Sequence, residues 1–260
     1  MVRRFAVLLM ATIVGSGSPI AAEQSPAIGL WNQGKVAFGI FVPNDDKARA
    51  AAYDNPFYDF LFLNLESRYD AAAIEANVAG VRASKVLPRK TLIVRIPPVE
   101  RDGPVAVKMR IAEAFALGAD GVTVPHVRSL EEAEQVLSFF RATRLDIWSP
   151  SNPRGEKLAM LMIEDPGALA EAEAIANLEG YSILACGIGS LTQAFGGDRA
   201  AAEAGNQKIL AETRRTKLVN MLTATARDVE ERVRQGYLAL IAQGSAASEA
   251  IRLGRAAAQR

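Results

Sequence analysis

Cysteine and surplus charge are both scarce in this chain of 260 residues. Cys186 is the only cysteine, so no internal disulfide can form and core packing must supply the stability. Thirty Lys and Arg residues stand against 29 Asp and Glu residues, and this balance gives no support for nucleic-acid binding. Apolar runs are too short for a transmembrane helix in a mature chain. Half of the residues are hydrophobic, which is enough for one sizeable core.

The N-terminus has the pattern of a secretory signal peptide over residues 1–22. A basic start, an apolar stretch and a small-residue end follow one another there. This order predicts cleavage after Ala22 and export of a mature chain, residues 23–260, to the periplasm or the medium. We expect no membrane association after cleavage. An uncleaved anchor or a misassigned start would produce the same pattern.

Eight apolar segments of strand length alternate with helical patterns along the rest of the chain. The predicted strands are 36–42, 59–66, 91–97, 121–127, 158–164, 181–188, 218–225 and 237–244. Several are almost continuously apolar, as expected for a parallel sheet that is covered on both faces. The alternation predicts a single-domain (β/α)8 TIM barrel, and an open doubly wound sheet remains the alternative.

The segments between the strands carry helical patterns and one loop. Helices are predicted over 71–84, 105–118, 130–143 and 167–180, with a longer helix-rich connection over 196–216. Residues 145–154 are rich in Pro, Ser and Asn and predict an exposed loop. Residues 245–260 predict a terminal helix whose arginines lie on a solvated face or meet an acidic partner surface. Cys186 lies inside an apolar strand, which favours a buried, inert thiol.

Glu164 is the most informative residue, because it ends the apolar run LAMLMIE. A TIM barrel keeps its chemistry at the C-terminal ends of its strands. The next strand pattern ends at Ser190, so no second acid appears there.

Several segments of the chain resemble the HpcH/HpaI aldolase and citrate lyase family. The densest match is residues 114–137, which are close to the family's ALDLGAQGVIVPMV block. LNLES (63–67) stands where the family has DLEH, and LIVRIP (92–97) where it has VRVP. LMIE (161–164) answers to the family's QIE, and CGIGSL (186–191) to IGPADLS. The chain is identified as a divergent member of this family.

The resemblance implies a (β/α)8 barrel that cleaves or forms carbon–carbon bonds through the enolate of a 2-oxo acid. A divalent metal, Mg²⁺ or Mn²⁺, would act as a Lewis acid on the developing enolate. Glu164 falls on the family's first metal carboxylate, and Arg95 falls on the arginine that steadies the enolate charge. An ion pair of Arg95 with Glu66 or Glu164 is the structural alternative for these residues.

Three positions depart from the family pattern. Ser190 replaces the second metal carboxylate, and a neutral hydroxyl is a weaker ligand. Ser67 replaces the DLEH histidine, and its hydroxyl cannot accept a proton near neutral pH without a partner base. Met162 replaces the glutamine of QIE and removes a polar contact to the keto group.

The turn Gly187-Ile188-Gly189-Ser190 still exposes backbone N–H groups that can bind a carboxylate, and Ser190 is expected to cap the helix that follows. A tight βα turn without a ligand is the alternative. Asp165 is expected to cap the helix that begins at Pro166. His126, the only histidine, would serve as a substitute base or as a hydrogen-bonded structural residue.

Two functions follow from these residues. The first is an exported aldolase-like lyase that acts on a 2-oxo acid through an incomplete metal site. The second is a catalytically inactive barrel that binds a small carboxylated ligand through Arg95 and the Gly187 to Ser190 turn. The resemblance also implies a homo-oligomer, in which the C-terminal helix packs on a neighbouring subunit.

Overall fold

The computed structural model describes residues 24–260, and the predicted signal peptide lies outside these residues. Eight parallel strands form a closed barrel in the order β1 to β8, with β8 paired to β1. The strands are β1 (Ala37–Phe41), β2 (Phe60–Asn64), β3 (Thr91–Arg95), β4 (Gly121–Val127), β5 (Leu158–Ile163), β6 (Ile183–Cys186), β7 (Val219–Ala224) and β8 (Ala239–Ala242). The predicted (β/α)8 TIM barrel is therefore confirmed, and the open sheet is excluded.

Helices pack around the outside of the barrel, and the first of them lies across its N-terminal end. They are α1 (Pro26–Trp31), α2 (Asp46–Tyr53), α3 (Ala71–Ala83), α4 (Val99–Ala116), α5 (Leu130–Ala142), α6 (Pro166–Ala170), α7 (Ala172–Ala176), α8 (Ile188–Ala194), α9 (Arg199–Thr216), α10 (Val229–Arg234) and α11 (Ala247–Ala257). None of the helices within residues 24–260 combines the length and apolarity needed to cross a bilayer.

Two predicted helices differ from the structure. The one expected over 105–118 begins earlier, at Val99, and bends at Gly103, whose φ is +79° and which precedes Pro104. The one expected over 167–180 is divided at Glu171 into α6 and α7. The bend at Gly103 lies before the segment that was predicted to be helical, whereas the division at Glu171 falls inside one.

Alternation along each strand divides the core into two layers. In β5, Leu158, Met160 and Met162 point into the barrel, whereas Ala159 and Leu161 pack against the surrounding helices. Successive strand residues face opposite sides of the sheet, so residue 164 continues the inward row and residue 165 the outward one. Asp165 accordingly caps α6 by accepting a hydrogen bond from the Gly167 N–H at 2.7 Å, as predicted.

The N-terminal end of the barrel is closed by packing. Helix α1 lies across it, with the Trp31 indole donating to the Leu238 carbonyl at 2.9 Å. The predicted exposed loop 145–154 was partly wrong, because Trp148 is buried against Trp31 with ring centroids 5.8 Å apart. The charged residues predicted for the site, Arg95 and Glu164, lie at the opposite, C-terminal end of the barrel.

The terminal helix α11 packs on the barrel of its own chain through Ala250, Ile251 and Gly254. Two of the terminal arginines instead meet an acidic group of their own chain: Arg255, within α11, and Arg260, just beyond it, both pair with Asp59. Packing of this helix on a second subunit stays a prediction.

Candidate active site

Three charged residues from separate strands meet at the C-terminal mouth of the barrel. Arg95 ends β3, Glu164 follows β5, and Glu66 lies two residues beyond β2. All three continue the inward-facing rows of their strands, since Ile93, Met162 and Phe62 belong to the interior layer. The fold therefore brings Arg95 and Glu164 to one mouth, as the sequence predicted, and adds Glu66.

Glu66 forms the ion pair that was the structural alternative for Arg95. The Arg95 guanidinium donates to Glu66 Oε2, and its Nε donates to Asn64 Oδ1 at 2.8 Å. The same guanidinium lies 3.5 Å from the Met162 sulfur. A cation this enclosed needs such partners, because an unpaired buried charge is unfavourable. Arg95 is thus held in one position at the wall of the mouth.

His126 joins the group because β4 is irregular. The pairing of β4 with β5 shifts register between Val124 and Val127, and His126 has a left-handed backbone with φ of +53°. Regular alternation would place residue 126 on the outer face with Val122 and Val124. The shift instead directs its ring to the mouth, where Nε2 lies 2.7 Å from Glu66 Oε1 and Nδ1 lies 3.6 Å from Glu164 Oε2.

The imidazole links the two carboxylates electrostatically. Its hydrogen bond to Glu66, with the charge of Glu164, raises the pKa of His126 above the ordinary histidine value. The same hydrogen bond and the Arg95 charge lower the pKa of Glu66. The Glu164 side chain is only 1% exposed, and its Oε2 also accepts from the backbone N–H of His126 at 3.2 Å. At the mouth, the imidazole of His126 therefore lies between the two carboxylates, and Arg95 pairs with one of them, Glu66.

Gly187 leaves room for the Glu164 carboxylate. A Cβ built on Gly187 would lie 2.7 Å from the Glu164 Cγ and closer still to its Cδ and Oε1. The Gly187 φ of −85° is one that any residue adopts, so the space and not the backbone requires glycine here. By contrast, a Cβ on Gly189 would meet nothing within 4 Å.

The turn after β6 lines a cavity of about 750 Å³ together with Arg95 and Glu164. All four predicted turn residues, Gly187 to Ser190, border this cavity. The expectation that Ser190 caps the next helix was wrong: α8 begins at Ile188, its capping position is Gly187, and Ser190 lies within the first turn.

Cys186 borders the same cavity, but the surroundings of its thiol are those of an unreactive group. The residue is buried, and burial raises the pKa of its thiol to about 12. Reactive thiols require a lowered pKa, so the predicted inert thiol agrees with its surroundings. Arg199 and Arg227 also line this cavity and add positive charge that the sequence did not indicate.

Whether these residues suit a divalent metal depends on their donor atoms. The family pairing would need a carboxylate at position 190, where this chain has a hydroxyl. Within the described part of the chain, however, Glu66, His126 and Glu164 each offer a donor atom, and these atoms lie within 4.8 Å of one another. Carboxylate oxygen and imidazole nitrogen both bind divalent ions, so the residues at the mouth fit such a metal.

Comparison with known proteins agrees with this fold. The sequence profile of the HpcH/HpaI aldolase/citrate lyase family matches residues 37–252. The chain belongs to the HpcH/HpaI aldolase/citrate lyase family. Comparison with curated protein sequences gave no match.

Several solved structures share the barrel at low sequence identity. A citrate synthase, SbnG, superposes with a TM-score of 0.67 at 20% identity, covering 85% of this chain and 91% of that one. A family member from Burkholderia cenocepacia J2315 gives 0.69 at 17% identity, with 91% and 97% covered. A citrate lyase beta subunit from M. tuberculosis, complexed with oxaloacetate and magnesium, gives 0.60 at 17%, with 87% and 98% covered. These likenesses establish the fold.

Proposed function

We propose that this protein is a carbon–carbon lyase of the aldolase type that acts on a 2-oxo acid through its enolate. The observation that carries the proposal is the placement of Arg95 and Glu164 on one cavity at the C-terminal mouth of a barrel of this family. In TIM barrels this end holds the chemistry. The citrate lyase beta subunit that resembles the chain binds oxaloacetate and magnesium, which supports the same substrate class here.

Each residue at the mouth has a part in this proposal. The Arg95 guanidinium donates hydrogen bonds toward the oxygen that becomes negative as the enolate forms. The substrate carboxylate lies against the turn Gly187 to Ser190, and Arg199 and Arg227 make the cavity favourable for an acid. Glu164 holds a divalent metal, Mg²⁺ or Mn²⁺, which when bound supplies Lewis-acid stabilisation of the enolate.

The bond changes are those of a retro-aldol reaction. In a 4-hydroxy-2-oxo acid the C3–C4 bond breaks, and its electron pair remains on C3 as the enolate of pyruvate. The hydroxyl on C4 transfers its proton to a base at the mouth of the barrel and becomes the carbonyl of the departing aldehyde, so that one proton is available for return to C3. Protonation of C3 then yields pyruvate. With oxaloacetate the same enolate forms when carbon dioxide leaves.

We also propose that the reaction takes place outside the cytoplasm. The support is the signal-peptide pattern of residues 1–22, which predicts a mature N-terminus at Glu23. Fractionation of the producing cells and N-terminal sequencing of the protein test this part. A chain that retains Met1 in the cytoplasm would refute it.

A catalytically inactive barrel that binds a small carboxylated ligand is the second candidate. The ion pair of Arg95 with Glu66 favours it, because that cation already has a partner in the structure. Ser67 and Ser190 favour it too, since each removes a polar group that the family resemblance assigns to catalysis. Under this proposal Arg95 and the turn Gly187 to Ser190 bind the ligand and no bond is broken.

One experiment separates the two candidates. Decarboxylation of oxaloacetate and binding of pyruvate are measured with and without Mg²⁺ or Mn²⁺ for the wild type, Glu164→Gln and Arg95→Ala. Asp165→Asn is the matched control, because Asp165 faces outward and asparagine also caps helices well. Metal-dependent activity that disappears in Glu164→Gln but persists in Asp165→Asn supports the lyase. Ligand binding that is indifferent to metal and to Glu164, yet lost in Arg95→Ala, supports the binding protein.

A further inference from the structure

We propose that the metal centre of this protein has moved: a divalent ion binds between Glu66, His126 and Glu164, and position 190 contributes no ligand. The inference rests on the proposed function only in taking Glu164 as a metal ligand. Its other two ligands come from β2 and β4, whereas the family resemblance places the second carboxylate after β6.

The first support is the convergence of three donors from three strand ends. Glu66 extends β2, Glu164 extends β5, and His126 lies within β4, so each is fixed by the barrel and not by a long loop. Their donor atoms lie within 4.8 Å of one another. Donors on rigid elements hold a metal geometry better than donors on loops.

The second support is the backbone of His126. Left-handed φ values are uncommon for residues other than glycine and persist where the surroundings enforce them. Here the register shift in β4 and the bond from the His126 N–H to Glu164 enforce the conformation. The result is an imidazole between two carboxylates, where regular pairing would leave it behind the sheet.

The third support is the condition of Glu164. Its side chain is 1% exposed, and such a carboxylate is unfavourable unless it is paired. Within residues 24–260 its carboxylate is paired with the ring and the backbone N–H of His126. A cation placed between Glu164 and Glu66 would satisfy both carboxylates. Arg95, itself held by Asn64, would then orient the Glu66 carboxylate, as hydrogen-bonded partners of metal ligands commonly do.

The donor set also predicts which metal binds. Magnesium prefers oxygen ligands, whereas imidazole nitrogen suits first-row transition ions. Two carboxylates and one imidazole therefore favour Co²⁺, Zn²⁺ or Mn²⁺ over Mg²⁺. A pair of carboxylates without the histidine would not produce this preference.

The test is a titration of the purified protein with Co²⁺, Zn²⁺ and Mg²⁺ by calorimetry, in the absence of substrate. Visible absorption of bound Co²⁺ reports its ligand field. The variants are Glu66→Gln, His126→Asn and, as control, Ser190→Ala. Asparagine is chosen at position 126 because it tolerates a left-handed backbone. Thermal melting without metal shows that each variant is folded.

We expect one site that binds Co²⁺ at least about 10-fold more tightly than Mg²⁺. Glu66→Gln should weaken Co²⁺ binding by at least about 100-fold, because loss of a ligand should cost at least as much as the largest effect seen when a hydrogen-bonded partner of a ligand is removed. His126→Asn should abolish the preference for Co²⁺ over Mg²⁺ and change the absorption spectrum, and Ser190→Ala should leave the affinity unchanged. Lost affinity in Ser190→Ala with full affinity in Glu66→Gln and His126→Asn would overturn the proposal, as would absence of Co²⁺ binding by the wild type.

The proposal and the proposed activity can fail separately. If Co²⁺ binding depends on Glu66 and His126 but the protein does not decarboxylate oxaloacetate, the metal centre is upheld and the lyase is refuted. Decarboxylation that requires Glu164 and Ser190 but not His126 upholds the lyase and refutes this ligand set.

Discussion

Replacement of Gly187 by alanine should displace the Glu164 carboxylate while leaving the residue at position 164 unchanged. The added methyl group would occupy the space where the Glu164 Cγ, at 2.7 Å, and the still closer Cδ and Oε1 now lie. Glu164 is enclosed by the strand ends around it, so the side chain cannot move aside without losing its bond to the His126 N–H. Gly187→Ala should therefore lower both stability and metal affinity.

The size of both effects follows from the contact. Insertion of a methyl group into a packed site typically costs about 1–3 kcal/mol. In a chain of this length each kcal/mol lowers the melting temperature by about 2–4 °C. Metal affinity should fall by about 10–100-fold, the range found when the support of a ligand is disturbed.

Gly189→Ala is the matched control in the same turn. Its new Cβ would meet nothing within 4 Å, and Gly189 lies inside α8. Alanine in a helix is more stable than glycine by roughly 0.5–1 kcal/mol, so this variant should melt slightly higher. Thermal melting and Co²⁺ titration measure both variants. Equal behaviour of Gly187→Ala and Gly189→Ala would refute the argument that Gly187 makes room for Glu164.

Three further predictions concern groups outside the metal centre. Cys186, with a pKa of about 12, should react with a thiol reagent at pH 8 at least about 100-fold more slowly in the native than in the unfolded protein; equal rates would contradict its burial. Burial raises the pKa of Glu203, but hydrogen bonds from Arg232, Gln207 and Asn206 outweigh burial and lower the pKa below the ordinary glutamate value. The ionised carboxylate therefore stabilises the fold fully above about pH 4.3, and this stabilisation is lost as the pH falls. Urea unfolding should consequently lose less stability between pH 6 and pH 3.5 in Glu203→Gln than in the wild type, and parallel losses would refute this. Arg260→Ala should reduce the free energy of unfolding by about 1.5–3 kcal/mol through lost hydrogen bonds to the Asp59 carboxylate, whereas an unchanged urea midpoint would exclude that contribution.

The barrel could be predicted from sequence because its signals are local. Most of the eight strands contain a short apolar run and helical patterns separate them, so the element order favoured a closed parallel barrel over an open sheet, and the structure decided between the two. Glu164 and Arg95 were predictable in the same way. Both residues stand at the end of a strand in which every second side chain points into the barrel, so the same alternation places them on the inward face.

The rest of the mouth depends on events that a local pattern does not encode. His126 reaches the site through a register shift between β4 and β5, and strict alternation would have assigned it to the outer layer. Glu66 had a usable signal, since it follows β2 on the inward row much as Glu164 follows β5. Its contact with His126 nevertheless depends on that shift. The capping role predicted for Ser190 was wrong because α8 begins two residues earlier, at Ile188, with Gly187 in the capping position.

Exchange of the pyruvate methyl protons for deuterium tests the central claim most directly, because it requires enolate formation but no aldehyde partner. The protein is incubated with pyruvate and Mg²⁺ or Co²⁺ in D₂O, the metal is removed by chelation, and the methyl signal is measured by proton NMR. The account predicts metal-dependent exchange by the wild type and Asp165→Asn, and none by Glu164→Gln or Arg95→Ala. Absence of exchange with either metal, or equal exchange by Glu164→Gln, would contradict it.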